Sequence, residues 1–491
     1  MLLSLKNLYL HNKTNQTKQN ETNMKKILTF LIVFCLSVSL FGQNPQKHRI
    51  IVLTDIENEP DDAQSLVRFL LYSNQWDTEG IIATTSCWQR DKIADWRIYE
   101  ILDAYEKVRP NLLKHESGYP ETRFLRGIVK RGYPDYGMNA VGEGKSSEGS
   151  DWIISVLEKP DDRPVWVLIW GGANTLAQAL WQIDMTKTPT EKEQMINKLR
   201  VYTISDQDDS GPWIRKTFPD LFYIVSPGYQ ENGGKGYFYA TWIGISGERH
   251  YKFPGGADTN LILNPWIDKH IQNGHGPLGT EYPDIAYAME GDTPSFLYLI
   301  QNGLNKPEKP DWGSWGGRYE LYTPHYKKFF HEPETRPIWT NTDDMVWVDG
   351  KCYVNEQATI WRWREAFQHD FAARMDWCVN DYVNANHPPV AALNHEKTII
   401  VKAGGTALLD ASKSSDPDNH QLSYHWFHYR DPGTFVGDIE ISNNRSPKSE
   451  FIAPEVSKPV DTHIILEVTD QGEPGLTRYQ RVIVNVLPSK E

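Results

Sequence analysis

The first half of the chain alternates continuous apolar runs with amphipathic helical patterns, and this alternation constrains the fold more than any other feature. "HRIIVLTD" (48–55) is an apolar run of the kind found in a strand buried on both faces. "AQSLVRFLLYSN" (63–74) then places apolar residues at 63, 66, 67, 70 and 71, the spacing of one helix face. The pair recurs as "TEGIIATTS" (78–86) with "ADWRIYEILDAYEKV" (94–108), and as "RPVWVLIWGG" (163–172) with "NTLAQALWQI" (174–183). "SDWIISVLEK" (150–159) reads as a helix, and "KLRVYTISD" (198–206) and "LFYIVS" (221–226) as further strands. The expectation is an α/β domain with an open, mostly parallel sheet covered by helices.

The pattern loosens from about residue 227, where helices are expected at 294–302 and 357–379. It changes character after the linker "NANHPPV" (384–390). Beyond it, alternating apolar and polar residues between turn clusters predict a small all-β, immunoglobulin-like sandwich. "DASKSSDPDNHQLSYHWF" resembles the polycystic-kidney-disease-type modules of secreted carbohydrate enzymes. The expected organisation is an extension with a signal peptide over 1–42, an α/β domain over 46–385 and a sandwich over 390–489. A length of 491 residues suits two or three domains.

The basic Met24-Lys25-Lys26 precedes the apolar "ILTFLIVFCLSVSLF", and Gly42 follows as a small residue for cleavage. This is the layout of a secretory signal starting at Met24, and it predicts a secreted or periplasmic protein. The apolar run is short for a transmembrane helix, so no membrane span is expected in the mature chain. A net charge of −13 argues against nucleic acid, which basic stripes hold. Cys35 falls in the signal; of Cys87, Cys352 and Cys378, the last two could pair in an oxidising compartment. The 18 Trp and 24 Tyr suit sugar-stacking surfaces and large aromatic cores equally.

Directly after the first strand, "TDIENEPDDAQ" gathers Asp55, Glu57, Glu59, Asp61 and Asp62. Part of this needs no function, because acids in a first helical turn gain about 0.3–1 kcal/mol from the helix dipole. The spacing D-x-E-x-x-x-D-D-A, however, resembles the nucleoside hydrolase signature D-x-D-x-x-x-D-D-A, with Glu57 in place of the second Asp. The resemblance implies a Ca²⁺ site. Glu57 would be metal ligand and water-activating base, Asp61 a catalytic group accepting sugar hydroxyls, and Asp62 a metal ligand. "WGGANTLAQAL" (170–180) resembles the family's second segment, in which the residue matching Asn174 gives its backbone carbonyl to the metal; a helix N-cap is the plainer role for Asn174. A last ligand is expected near a helix start: Asp292 in "AMEGDTPSFLYL", with Asp343 and Asp344 as rivals. Glu290 and Asp208 are expected to face the substrate. Asp206 and Asp209 lie in the same acidic loop as Asp208, and Glu231 and Asn232 stand in a candidate sugar-binding loop. His275 is a candidate proton donor.

The order of these segments, ahead of a sandwich, resembles most closely the secreted nucleoside-hydrolase-like proteins of the Sde182, or cellulose-binding, type. Two functions follow. One is a Ca²⁺-dependent hydrolase of glycosidic bonds, acting on an N-riboside or a plant-derived sugar, small or polymeric. The other is a carbohydrate-binding protein without turnover, for which an exposed strip from Trp312, Trp315, Trp361 and Trp363 would be the mark. A purely adhesive protein would leave the acidic turn unexplained.

Overall fold

The computed structural model describes residues 46–226, 240–246, 256, 258–322 and 337–489. The leader and the loop carrying Glu231 and Asn232 lie outside the described residues. Strand β1 (His48–Thr54) is followed by helix α1 (Pro60–Leu71), β2 (Trp76–Ala83), α2 (Asp95–His115), β3 (Val129–Arg131) and α3 (Glu148–Glu158). Then come β4 (Val165–Ile169), α4 (Asn174–Thr186), β5 (Leu199–Ser205) and β6 (Phe222–Ser226). With β7 (Tyr319–Tyr322) and β8 (Ile338–Asn341) they form one sheet in the order β3-β2-β1-β4-β5-β6-β8-β7. Its neighbours pair in parallel except β7 with β8.

The alternation of side chains along β1 explains the two covering layers. Ile50 and Val52 enter one apolar core and Ile51 and Leu53 the other, on opposite faces of the sheet. The connections run to β2 and β3 on one side of β1, and from β4 outward on the other. A reversal of this kind opens a crevice at the carboxyl ends of the two central strands, where open α/β sheets place their ligands.

The segment expected as one helix over 357–379 is two: Ala358–Trp361 and α5 (Arg364–Asp376). Trp361 and Trp363 are both buried. One continuous helix would set them about 200° apart, on opposite faces. The helix expected at 294–302 is confined to Pro294–Leu297. An antiparallel hairpin, β9 (Asp344–Val348) with β10 (Lys351–Asn355), was not foreseen.

Strands β11 (Thr398–Lys402), β13 (Ser423–Tyr429), β15 (Val460–Thr469) and β16 (Thr477–Leu487) form a sheet in the order β11-β16-β15-β13, and β12 (Thr406–Asp410) pairs with β14 (Lys448–Ile452). The sandwich has its own core around Trp426, Leu466 and Val484. It is also fused to the α/β part. Tyr429, Ile465 and Tyr479 belong to the same apolar cluster as Trp315 and Phe367. Tyr479 N donates to Asn302 O at 2.9 Å, and Arg481 holds the carbonyls of Leu304, Trp312 and Gly313.

Cys87, Cys352 and Cys378 are all free thiols, so the pairing left open for Cys352 and Cys378 is not formed. Cys352 is exposed on β10 while Cys378 is buried, with Sγ 3.7 Å from Arg374 O. No helix among the described residues is long and apolar enough to cross a membrane.

Candidate metal and substrate site

The acidic turn stands at the carboxyl end of β1, beside that of β4. Pro60 opens α1 at a position where its fixed φ suits a helix and its missing N–H costs nothing. Asp61 and Asp62 follow in the first turn. Thr54 Oγ1 donates to Asp62 Oδ1, so the last residue of β1 aims the acid of α1. Gln89 Nε2 holds the carbonyls of Asp55 and Ile56 at 3.1 and 3.2 Å.

A distant segment completes the group. Glu290-Gly291-Asp292 passes so close that a Cβ on Gly291 would lie 2.7 Å from Asp61 Oδ2. Asp61, Asp62 and Asp292 thus each offer a carboxylate oxygen, all within 4.8 Å of one another. Asp55 is the fourth member: its charge helps raise the pKa of the other three. Burial is the larger cause throughout. It pushes Asp55 up to about 6 and, with repulsion from Glu59 and Asp55, Asp61 up to about 8. Asp62 and Asp292 are held well above the carboxylate range by burial and by their neighbours' charge.

These residues fit a hard divalent cation. All the donors are carboxylate oxygens. Asp55 Oδ2 and Asp292 Oδ2 are buried with no hydrogen-bond partner. Among the described residues, no basic side chain forms an ion pair with Asp61, Asp62 or Asp292. A bare buried oxygen costs roughly 1–3 kcal/mol, and a cation would relieve several of them at once. Asp292 does not cap the Pro294–Leu297 helix, whose cap is Thr293.

The structure does not bring Glu57 into this group. Glu57 adopts a left-handed backbone (φ 73°), and its carboxylate lies 3.2 Å from Arg97 Nε on α2. Glu290 is beside the cluster, but its side chain is engaged: Arg68 Nη1 donates to Oε2 at 2.6 Å and Tyr282 OH to Oε1 at 3.0 Å. Asn174 is fully buried as the first residue of α4; its cap is Ala173. Its side chain accepts from Thr84 Oγ1 at 2.7 Å and donates to Thr85 Oγ1 and Asp135 O. Asp208 takes the capping part instead: Oδ2 accepts from Asn174 N at 3.2 Å, and Oδ1 accepts from Ser210 N at 2.9 Å. Burial raises Asp208 to about 6, against those hydrogen bonds.

The rival acids have structural partners. Asp206 is clamped by both terminal nitrogens of Arg215 at 2.8 Å. Asp209 Oδ1 accepts from Met138 N at 2.8 Å. Asp344 is buried against Arg318, Arg362 and Tyr429 of the sandwich, which removes it as a metal ligand. His275 pairs with Asp376 of α5 at 3.1 Å. Trp315, Trp361 and Trp363 are buried and Trp312 is half-buried, so these four form no exposed strip. The exposed tryptophans are Trp88, Trp96 and Trp347. Trp88 sits in the "TSCWQ" loop after β2, whose Ser86 and Gln89 support Asp55. Sequence reasoning passed over this loop, although a polar run directly after a buried strand was its signal.

Residues 49–319 match the family described as "Cellulose-binding Sde182, nucleoside hydrolase-like domain", and residues 406–486 the "Cellulose-binding protein Sde0182, C-terminal domain". A solved structure from Saccharophagus degradans, described as a nucleoside hydrolase-related hypothetical protein associated with carbohydrate metabolism, is 37% identical. That match covers 90% of this chain and all of the other, with a TM-score of 0.74. The effector protein XOO4466 is 8% identical over 69% of this chain and 95% of its own, with a TM-score of 0.35. No curated protein matches the chain. With more than half of the sequence inside the first family match and a relative aligned from end to end, the chain belongs to the cellulose-binding Sde182 family, a nucleoside hydrolase-like domain followed by its C-terminal sandwich.

Proposed function

We propose that the chain hydrolyses a glycosidic bond of a carbohydrate or N-riboside at the Asp55, Asp61, Asp62 and Asp292 cluster, after export directed by residues 1–42. The observation that carries this is a buried group of acids without counter-charge, at the strand ends where α/β sheets bind ligands. Asp62 and Asp292 are the side chains that would hold Ca²⁺, with the Asn174 carbonyl as the further donor that the family resemblance implies. Bound there, Ca²⁺ supplies counter-charge, coordination for sugar hydroxyls and a more acidic water. Asp61 accepts a sugar hydroxyl and orients the ring. The negative field of the cluster favours the positive charge that develops at the anomeric carbon. Asp208 keeps the start of α4 in place, and Glu290, fixed by Arg68 and Tyr282, keeps Asp292 in place. The base that the family resemblance implies is Glu57, whose carboxylate is paired with Arg97 at 3.2 Å outside the cluster.

The test is a screen of nucleosides and plant oligosaccharides with and without chelator. Turnover of at least one class, abolished by EDTA and restored by Ca²⁺, is expected. Asp62→Ala should lose turnover by at least 100-fold and keep glycan affinity. Unchanged metal content and activity in Asp62→Ala would end the assignment. The Glu57–Arg97 pair favours a second reading, carbohydrate binding without turnover, because it engages the expected base. That reading requires cellulose or oligosaccharide binding, no turnover across the panel, and an affinity insensitive to Arg97→Ala.

A further inference from the structure

The turn between β12 and β13, "SSDPDNHQ", brings Asp416, Asp418 and His420 together. One ligand atom from each lies within 4.8 Å of the others. Asp416 Oδ1 builds the turn by accepting from the amides of Asp418 and His420 at 2.9 and 2.8 Å. That accounts for one oxygen only. The side chain is 1% exposed, and its Oδ2 is buried with no partner. His420 Nδ1 is also buried without a partner, 3.8 Å from Asp416 Oδ1. Asp470 is near enough to feel the Asp416 charge, and its Oδ2 is bare as well. Among the described residues, no Lys or Arg forms an ion pair with Asp416, Asp418 or Asp470.

Asp416 Oδ2 and His420 Nδ1, in an otherwise half-exposed turn, and Asp470 Oδ2 beside it are bare buried atoms, and such lone pairs are costly unless something positive sits beside them; Asp418, by contrast, has both oxygens 3.1 Å from His387 Nδ1. We infer that Asp416, Asp418 and His420 form a second site, for a divalent cation, at the junction of the sandwich with the chain that precedes it. The carboxylates admit Ca²⁺, and the imidazole admits a first-row ion such as Zn²⁺. The site has a mechanical consequence. Asp418 Oδ2 accepts from His387 N at 2.7 Å, and the His387 ring meets His115 of α2 at 2.9 Å. A cation that fixes Asp418 therefore fixes the linker against the α/β domain. The inference is independent of the proposed activity.

The test is the metal content of the full chain after equilibration with Ca²⁺ or Zn²⁺ and gel filtration. Asp416→Asn, which keeps an acceptor for the two turn amides, should carry one equivalent less than wild type. Calorimetric titration is then made in the Asp62→Asn, Asp292→Asn background, where the first cluster no longer competes. One equivalent of CaCl₂ or ZnCl₂ should bind, with affinity at least tenfold lower once Asp416→Asn is added. His420→Gln, at a side chain partly open to solvent, should weaken Zn²⁺ more than Ca²⁺ and so identify the ion. Equal metal content in wild type and Asp416→Asn, or no binding of either ion in the double-variant background, overturns the site.

Discussion

Asp292 has one carboxylate oxygen with no partner, in a cluster whose four acids repel one another. In the metal-free chain, burial first and the neighbours' charge second raise the pKa values: burial alone lifts Asp55 to about 6, and both causes lift Asp61 to about 8 and hold Asp62 and Asp292 well above the usual range. A folded-state pKa above the unfolded one means that the folded chain keeps protons which the unfolded chain has released. The associated stability is complete below the ordinary carboxylate value and is lost as pH rises through the folded values. Each such proton gives a slope of about 1.4 kcal/mol per pH unit inside that window. In EDTA, the Tm should therefore fall from pH 5 to pH 8, and saturating Ca²⁺ should flatten the curve. Asp292→Asn removes one charge from the cluster. Its Tm in EDTA at pH 8 should exceed that of wild type, while its Ca²⁺-induced rise in Tm should largely vanish. Scanning calorimetry over that pH range checks both signs; a flat wild-type curve in EDTA would contradict the picture.

At the scale of elements, the site depends on how closely the turn after β4 approaches the turn after β1. A Cβ on Gly171 would lie 2.6 Å from Asp55 Oδ1 and 2.8 Å from Asp55 Cβ. Gly171→Ala must push Asp55 aside. A destabilisation of about 1–3 kcal/mol is expected from overpacking, with Ca²⁺ affinity reduced at least tenfold in calorimetric titration. Gly127→Ala has open space at its Cβ and should be neutral in both measurements. The legibility of the site follows the same division. The strand, the acidic turn and helix α1 are local events, so β1 and α1 could be read from periodicity, whereas the roles expected of Asp61 and Asp62 came from the family resemblance of the turn. Asp292 was reached through the family resemblance, which implies a last ligand near a helix start; its packing against Asp61 and Asp62 is not encoded locally. Glu57 was not legible in this way. Its left-handed backbone and its pairing with Arg97 depend on where α2 lands, which periodicity does not encode. The same holds for Asp344, Trp315 and Trp363, which pack against the sandwich far along the chain, and for Trp361, which packs against Tyr353 of β10.

For the whole molecule, the sandwich is an integral part of the structure rather than an appendage. Asp344 at the start of β9 is fully buried, and it receives Arg318 Nε at 2.6 Å, Arg362 Nη1 at 2.7 Å and Tyr429 OH of the sandwich at 2.7 Å. The two guanidiniums outweigh the cost of burial and hold its pKa below the carboxylate range. On the other flank, Asp370 of α5 takes Arg478 of β16 at 2.6 Å. Between these ion pairs the apolar core runs unbroken from Phe367 and Trp315 to Tyr479. Such a boundary has no plane along which one part could melt while leaving the other's surface wetted at low cost. Wild type should therefore unfold in a single calorimetric transition. Asp344→Ala leaves two buried guanidiniums without their shared acceptor, a loss on the order of 3–5 kcal/mol for a broken buried pair. Tyr429→Phe removes only one hydrogen bond and should cost about 1–2 kcal/mol, still in one transition. The discriminating result is the shape of the Asp344→Ala trace. If the interface couples the two parts, the single peak should split or broaden, the lower-temperature component becoming sensitive to Arg478→Ala. A sharp peak merely shifted down would instead place the coupling in the apolar contacts of Trp315 and Tyr479.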